Sequence, residues 1–247
     1  MTGPGAAAPT VWTKTADRPL RSWRKTLAVW AMARFLGVRV PWSAVSQRDG
    51  VALLAHEHRR LLALGAAGEH VPVVVAFDGH RLSTADVGPT LDTVLHALAD
   101  NTSRLQLMRA AATDLAGFHT RGQWHGGAQA RNLTWNGQVF SRFDFEETLH
   151  PAMPLATVQV YDALQLLLSF SPWFALLGPQ AVEQVLQAYE QARPHTGLKP
   201  FCATLAPRLQ RLLWWVDRTG WWRDSREARR VRVLVAGLQA FSRSVSS

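Results

Sequence analysis

The sequence predicts an α+β fold, with short β-prone segments gathered early and helices filling most of the rest. Three observations carry this. Runs rich in β-branched and aromatic residues occur at Val11-Trp12-Thr13-Lys14-Thr15 and between Val71 and Val87. Stretches with apolar residues at helical spacing lie between and after them. Two short apolar runs around Asn136-Gly137 mark a β-hairpin in the middle of the chain. With 247 residues, 47% of them hydrophobic, the chain is long enough to bury a real core.

The elements follow in order. Residues 1–9, with Gly3, Pro4, Gly5 and Pro9, read as a flexible tail. The Lys14 strand comes next, then a helical insertion over about residues 20–41. A helix is expected from Val51 to Leu64, with Leu53, Leu54, Leu61, Leu62 and Leu64 on its apolar positions. Val71 to Val87 reads as strand, turn, strand. Arg104 to His119 reads as a helix, because Leu105, Met108, Ala112, Leu115 and Phe118 recur at its spacing. The hairpin spans Leu133 to Phe140. Tyr161 to Ser169 opens an apolar helix with one acidic residue, Asp162. Basic, Trp-rich helices run from Leu205 to Phe241.

The hairpin has a chemical consequence, because it brings its two ends together. Asn132 stands just before it and Asp144 just after. An amide oxygen and a carboxylate side by side suit Mg²⁺, a hard cation that takes oxygen ligands. Phosphoryl transfer needs such charge neutralisation more than covalent chemistry.

The segment His125-Gly126-Gly127-Ala128-Gln129-Ala130-Arg131-Asn132, with the hairpin and Asp144-Phe145-Glu146 after it, resembles the catalytic loop and metal-binding Asp of the protein-kinase-like superfamily. The resemblance is to its bacterial branch that includes the Kdo and heptose kinases of the lipopolysaccharide core. The pattern there runs His-Gly-Asp-x-x-x-x-Asn, a hairpin, then Asp-Phe-Asp or Asp-Phe-Glu. It implies a bilobal fold: a small β-containing N-lobe over residues 10–84, carrying the insertion, and a helical C-lobe over 85–247. It also implies roles. Lys14 on its strand is held by Glu57 on a helix and meets the α- and β-phosphates of ATP. Ala85, Asp86 and Val87 offer backbone groups to adenine. His125 belongs to the catalytic loop, and Asn132 and Asp144 bind Mg²⁺. Asp162 accepts hydrogen bonds from the loop backbone; the other reading of Asp162 is a first-turn residue stabilising a helix N-terminus.

Two features depart from that family. Gly127 stands where the catalytic Asp is expected, so a general base that typically contributes 10²–10⁴-fold is missing. No convincing glycine-rich phosphate loop precedes Lys14. The expected function is therefore an atypical ATP- and Mg²⁺-dependent kinase acting on a sugar or lipid-linked sugar at a membrane surface. The alternative is a pseudokinase that binds or regulates a membrane or protein partner.

Charge and tryptophan point to partners. The formal net charge is +9, which favours anionic ligands. Several of the 11 tryptophans lie beside arginine, in Arg21-Ser22-Trp23-Arg24-Lys25 and along Arg211 to Arg223. Cationic faces with Trp suit the headgroup zone of an anionic membrane. Nucleic acid is the weaker candidate, since no zinc-ligand spacing, RNP-type strand or helix-turn-helix is found. His56 and His58 flank Glu57 on different sides of a helix and are rejected as a zinc site. Cys202 is the sole cysteine, which excludes an intramolecular disulfide and fits a reducing cytoplasm. No signal peptide is visible. The apolar stretch from Leu164 to Leu177 is broken by Ser169, Ser171 and Pro172. The expected location is cytoplasmic, peripheral on the inner membrane.

Overall fold

The computed structural model of the protein describes residues 10–17, 22–35, 37–46, 49–150, 152–220 and 224–244. The expected tail at 1–9 lies outside the described residues, as do Arg21 and the Trp221-Trp222-Arg223 end of the second Trp/Arg run.

The fold is α+β. Strands β1 (Val11–Thr15), β2 (Val74–Phe77) and β3 (Arg81–Ala85) form an antiparallel sheet in the order β1-β3-β2. Its register pairs Trp12 with Thr84 and Lys14 with Leu82. β2 and β3 join at Asp78-Gly79, where the Asp78 carboxylate accepts the His80 and Arg81 N–H groups at 2.8 and 2.6 Å. Val73 and Val75, 70% and 55% exposed, face water beside this edge of the sheet.

Helix α1 (Trp23–Phe35) lies within the expected insertion, and the short α2 (Trp42–Val45) follows it. Ala33, Val38, Val40, Ala44 and Val45 pack with Trp124, Leu149, Met153, Val158 and Tyr161 in a cluster of their own, so this segment docks on the helical body. Helix α3 (Gly50–Ala66) is capped by Asp49, whose side chain accepts Val51 N–H at 2.9 Å. Its start touches the end of β1. A Cβ on Gly50 would come within 2.1 Å of the Ala16 carbonyl oxygen, so only glycine allows this approach. Leu54, Leu61 and Leu64 face the core as expected, but Leu62 is 52% exposed. The α3 stripe is narrower than its run of leucines.

The helical part holds α4 (Leu91–Ala97), α5 (Asn101–Thr120), α6 (Leu155–Ser169), α7 (Ser171–Leu177), α8 (Pro179–Ala192), α9 (Leu198–Thr219) and α10 (Arg226–Arg243). The hairpin forms as β4 (Leu133–Trp135) and β5 (Phe140–Arg142). One continuous apolar core runs from Leu82 on the sheet through Leu61, Met108 and Phe118 to Leu238 and Phe241 on α10. Arg142 on β5 lies inside it. It pairs with Asp114 and stacks over Phe118 at 4.3 Å, which fixes the hairpin against α5. Among the described residues no single helix is long and apolar enough to cross a membrane. The apolar pair α6 and α7 bends by 57° at the Ser169–Ser171 break, and its Leu164, Leu167, Phe170 and Phe174 are core residues.

Candidate functional site

The loop before the hairpin is held from beneath by α6. Asp162 accepts His125 N–H at 2.6 Å and Gly126 N–H at 2.7 Å, and it has no solvent exposure. α6 begins at Leu155, so Asp162 sits well inside the helix. The first-turn reading of Asp162 is thereby corrected: the carboxylate braces a loop and does not cap its own helix. Gly126 has φ 86°, and a Cβ there would lie 2.7 Å from that of Glu147. His119 on α5 approaches Asp162 at 3.4 Å and contacts the Tyr189 hydroxyl at 2.6 Å.

His125 is fully buried. Its Nδ1 accepts Gly127 N–H at 3.2 Å, which leaves Nε2–H to donate to the Phe143 carbonyl at 2.9 Å. An N–H only donates and a carbonyl only accepts, so these partners select the neutral Nε2–H tautomer. Burial lowers the imidazole from 6.5 to about 4, against the opposing pull of the Asp162 charge. The ring stacks on Phe145 with centroids 4.5 Å apart. His125 therefore ties the loop to the strand end and acts as a brace; its partners leave it no proton to exchange with a substrate.

Asn132 ends the loop. Its Nδ2 donates to the Gly127 carbonyl at 2.9 Å, and its Oδ1 accepts no hydrogen bond among the described residues. Past the hairpin, Asp144 adopts φ 69°, a left-handed conformation that non-glycine residues use sparingly and that clusters at functional sites. Its carboxylate lies 2.5 Å from Lys14 Nζ. Lys14 also donates to both oxygens of Glu57, at 2.8 and 3.0 Å, and to Glu146 at 3.3 Å. β1, α3 and the end of β5 thus meet at one ammonium.

The electrostatics follow from this cluster. Burial works against the Lys14 charge, but Glu57, Asp144 and Glu146 outweigh it and raise its pKa above the usual lysine value. For Asp144, burial works against ionisation, while the hydrogen bond with Glu146 and the Lys14 charge prevail and hold it well below the usual carboxylate range. Oxygens of Glu57, Asp144 and Glu146 all lie within 4.8 Å of one another. Glu57 is committed to Lys14 and is 2% exposed. Asp144 and Glu146 carry carboxylates, the ligand type that a hard cation takes.

Beside the cluster lies a cavity of about 380 Å³ between the sheet and the hairpin. Lys14, Glu57, Leu61, Leu82, Thr134 and Phe143 line it. Ala85, Asp86 and Val87 stand on its wall. Two of their N–H groups are already used: Ala85 N–H donates to the Val73 carbonyl and Asp86 N–H to that of Thr10, both at 2.9 Å. These two N–H groups are not free to donate to a ligand. Val87 N–H has no acceptor among the described residues.

No protein-family model matches this chain, and no curated protein matches it. The site therefore rests on its own geometry.

The structure brings together Lys14, Glu57 and Asp144; Asn132 is tied by its backbone carbonyl to the Phe143 N–H beside Asp144, at 3.2 Å, and Asp162 braces the His125 loop. Sequence reasoning gave no site role to Glu146, Trp12, Arg60 or Arg131. Glu146 was visible in Asp144-Phe145-Glu146 but carried no ligand role. Trp12 lines the cavity; the two-residue alternation with Lys14 was the signal that could have found it. Arg60, one turn beyond Glu57 on α3, donates to the Trp124 carbonyl at 2.8 Å and lies over the Trp124 ring at 4.7 Å. Exposed Arg131 reaches the cavity from the loop, and no pattern marks it.

Proposed function

We propose that the protein is an atypical kinase-like phosphotransferase that uses ATP and Mg²⁺ to phosphorylate a hydroxyl of a sugar or lipid-linked sugar at a membrane surface. The observation that carries the reading is the Lys14 ammonium, gripped by Glu57 and touching Asp144 on the lining of a cavity of about 380 Å³. Cavities of a few hundred cubic ångströms, mostly apolar with a few convergent charges, are the usual form of cofactor sites. The order strand Lys, helix Glu, braced loop, hairpin and Asp supports a bilobal kinase-like arrangement with the cavity between lobes. Asp144, Glu146 and Asn132 would hold Mg²⁺, which supplies charge neutralisation to the phosphates. Lys14 would contact phosphate oxygens once they replace a carboxylate at its ammonium. In the transfer the bond from the γ-phosphorus to the β,γ-bridging oxygen breaks, one from the acceptor oxygen forms, the hydroxyl proton passes to water, and the nucleoside diphosphate leaves.

The membrane part of the reading rests on two helices. Trp23 on α1 and Trp214 and Trp215 on α9 are 66%, 54% and 60% exposed. Arg24 lies over Trp23 and Arg218 over Trp214, and α1 contains no acidic residue. The helices meet where Arg208 donates to the Phe35 carbonyl at 3.3 Å. Such surfaces suit anionic headgroups. Co-sedimentation with anionic vesicles that weakens with salt is expected; equal binding to neutral vesicles would remove the electrostatic part.

One observation favours a pseudokinase instead. Gly127 offers no base, and a Cβ there would meet the Asn132 and His125 side chains and no carboxylate. The deciding experiment is thermal unfolding with ATP, with and without Mg²⁺, on wild type and Asp144→Asn, followed by turnover with sugar and glycolipid extracts. At about a hundred times its Kd, ATP stabilises the fold by roughly 2.7 kcal/mol. A Mg²⁺-dependent shift lost in the variant supports the site, and turnover then separates kinase from pseudokinase. No shift in either protein would overturn the nucleotide reading.

A further inference from the structure

We infer that Arg131 is a phosphate-binding residue of the cavity, supplying to the triphosphate of a bound nucleotide a positive charge that the Lys14 cluster cannot spare. This rests on the nucleotide reading above. The charge balance at Lys14 is the starting point. Its ammonium meets three carboxylates, those of Glu57, Asp144 and Glu146, so the cluster as a whole is anionic. A single Mg²⁺ bound there only cancels that excess. A polyanion entering the cavity therefore needs a further cation.

Among the described residues that line the cavity, Lys14 and Arg131 are the cationic ones. Arg131 is exposed, and its guanidinium makes no hydrogen bond, ion pair or ring contact among the described residues. The backbone that carries it is fixed. It lies in the one-turn 3₁₀ helix Ala130–Asn132, where Ala130 N–H donates to Ser169 Oγ at 3.0 Å and Asn132 N–H to the Gln129 carbonyl at 2.8 Å. A planar guanidinium with its donors unspent, on a held turn at the cavity wall, suits phosphate oxygens taken two at a time. A second observation points to a polar occupant. Thr134, on the strand that follows this turn, also lines the cavity; it is 2% exposed and its Oγ1 has no hydrogen-bond partner. Buried hydroxyls are rarely left so. An apolar tail filling the cavity would strand the hydroxyl and leave the Arg131 charge unanswered.

The test is calorimetric titration of the full chain with Mg²⁺-ATP and with Mg²⁺-tripolyphosphate, which has phosphates and no nucleoside. No acceptor is present, so a phosphate on the acceptor cannot account for the result. Arg131→Gln should weaken both ligands about 10-fold, the loss of one charge-assisted contact. Arg131→Lys, which keeps the charge and loses the fork, should recover part of it. The urea midpoint of the ligand-free Gln variant should equal that of wild type, because the side chain touches nothing there. The inference is overturned if Arg131→Gln binds ATP within about 2-fold of wild type. It is overturned as well if ATP weakens while tripolyphosphate does not, for then Arg131 meets the nucleoside. A lowered urea midpoint would make the effect structural, and wild type that binds ATP but not tripolyphosphate would leave the phosphates without an anchor; either result counts against the inference. Wild type that binds neither ligand removes the nucleotide reading itself.

Discussion

Asp162 is the residue whose removal should cost the loop most. It satisfies two backbone donors, His125 N–H and Gly126 N–H, at 2.6 and 2.7 Å, in a place water does not reach. Hydrogen bonds to a charged acceptor are worth about 1.5–3 kcal/mol each. Asp162→Ala therefore loses about 3–6 kcal/mol, a large share of the 5–15 kcal/mol that holds a typical domain together. That variant risks not folding, so the informative substitution is Asp162→Asn. Its amide oxygen still accepts one N–H, while its NH₂ group faces the other donor. The expected loss is about 2–4 kcal/mol, or roughly 4–16 °C in Tm for a chain of this size. Urea unfolding gives the free energy, and amide hydrogen exchange at His125 and Gly126 shows where it is lost. A loss below about 1 kcal/mol with both amides still protected would refute the reasoning: the loop would then be held by the His125–Phe143 and Asn132–Gly127 bonds alone.

Three further outcomes are expected. His125 has a folded-state value lowered to about 4 from 6.5, so its stabilising contribution is present above 6.5 and lost as pH falls towards 4. The loss is about 3 kcal/mol, and buried His119, lowered by burial as well, acts in the same direction. Urea midpoints across that window check it; His125→Gln should flatten the slope, and an unchanged slope would assign it elsewhere. Gly127→Asp should be tolerated, because a Cβ there meets only Asn132 Nδ2 at 3.5 Å and His125 Nδ1 at 3.8 Å. Supplying the missing base should raise turnover by about 10²–10⁴; no rise would mean the acceptor hydroxyl does not sit beside residue 127. Lys14→Met removes the ammonium from among Glu57, Asp144 and Glu146, which then repel one another. Mg²⁺ alone should stabilise this variant more than wild type in thermal unfolding, while ATP should no longer do so; an equal response to Mg²⁺ would show that the carboxylates are not the cation site.

What could be read from the sequence depended on how far apart the interacting residues lie. The β4–β5 hairpin was legible because Asn136-Gly137 and its flanking apolar runs act over a few residues, and closing it brings Asn132 near Asp144. α3 and α5 were legible because their apolar spacing needs only the helical period. Lys14 and Glu57, 43 residues apart, were paired through a motif order and not through any local signal. Burial was legible less well: Leu62 belongs to an apolar run yet faces water, because only one stripe of α3 finds a partner.

The sequence by itself determined the strand and helix types, the hairpin turn, the basic balance, and the residue types able to meet a phosphate and a hard cation. Only the tertiary structure decided that Glu146 joins the Lys14 cluster, that Ala33, Val38 and Val45 dock on the helical body, that the Ala85 and Asp86 N–H groups are already spent, and that Asp162 supports a loop 36 residues away from it in the chain. The reason is physical. Turns, caps and periodic faces are fixed by atoms a few residues apart. A cavity and a charge cluster are fixed by which distant surfaces pack, and that is settled by the whole core at once.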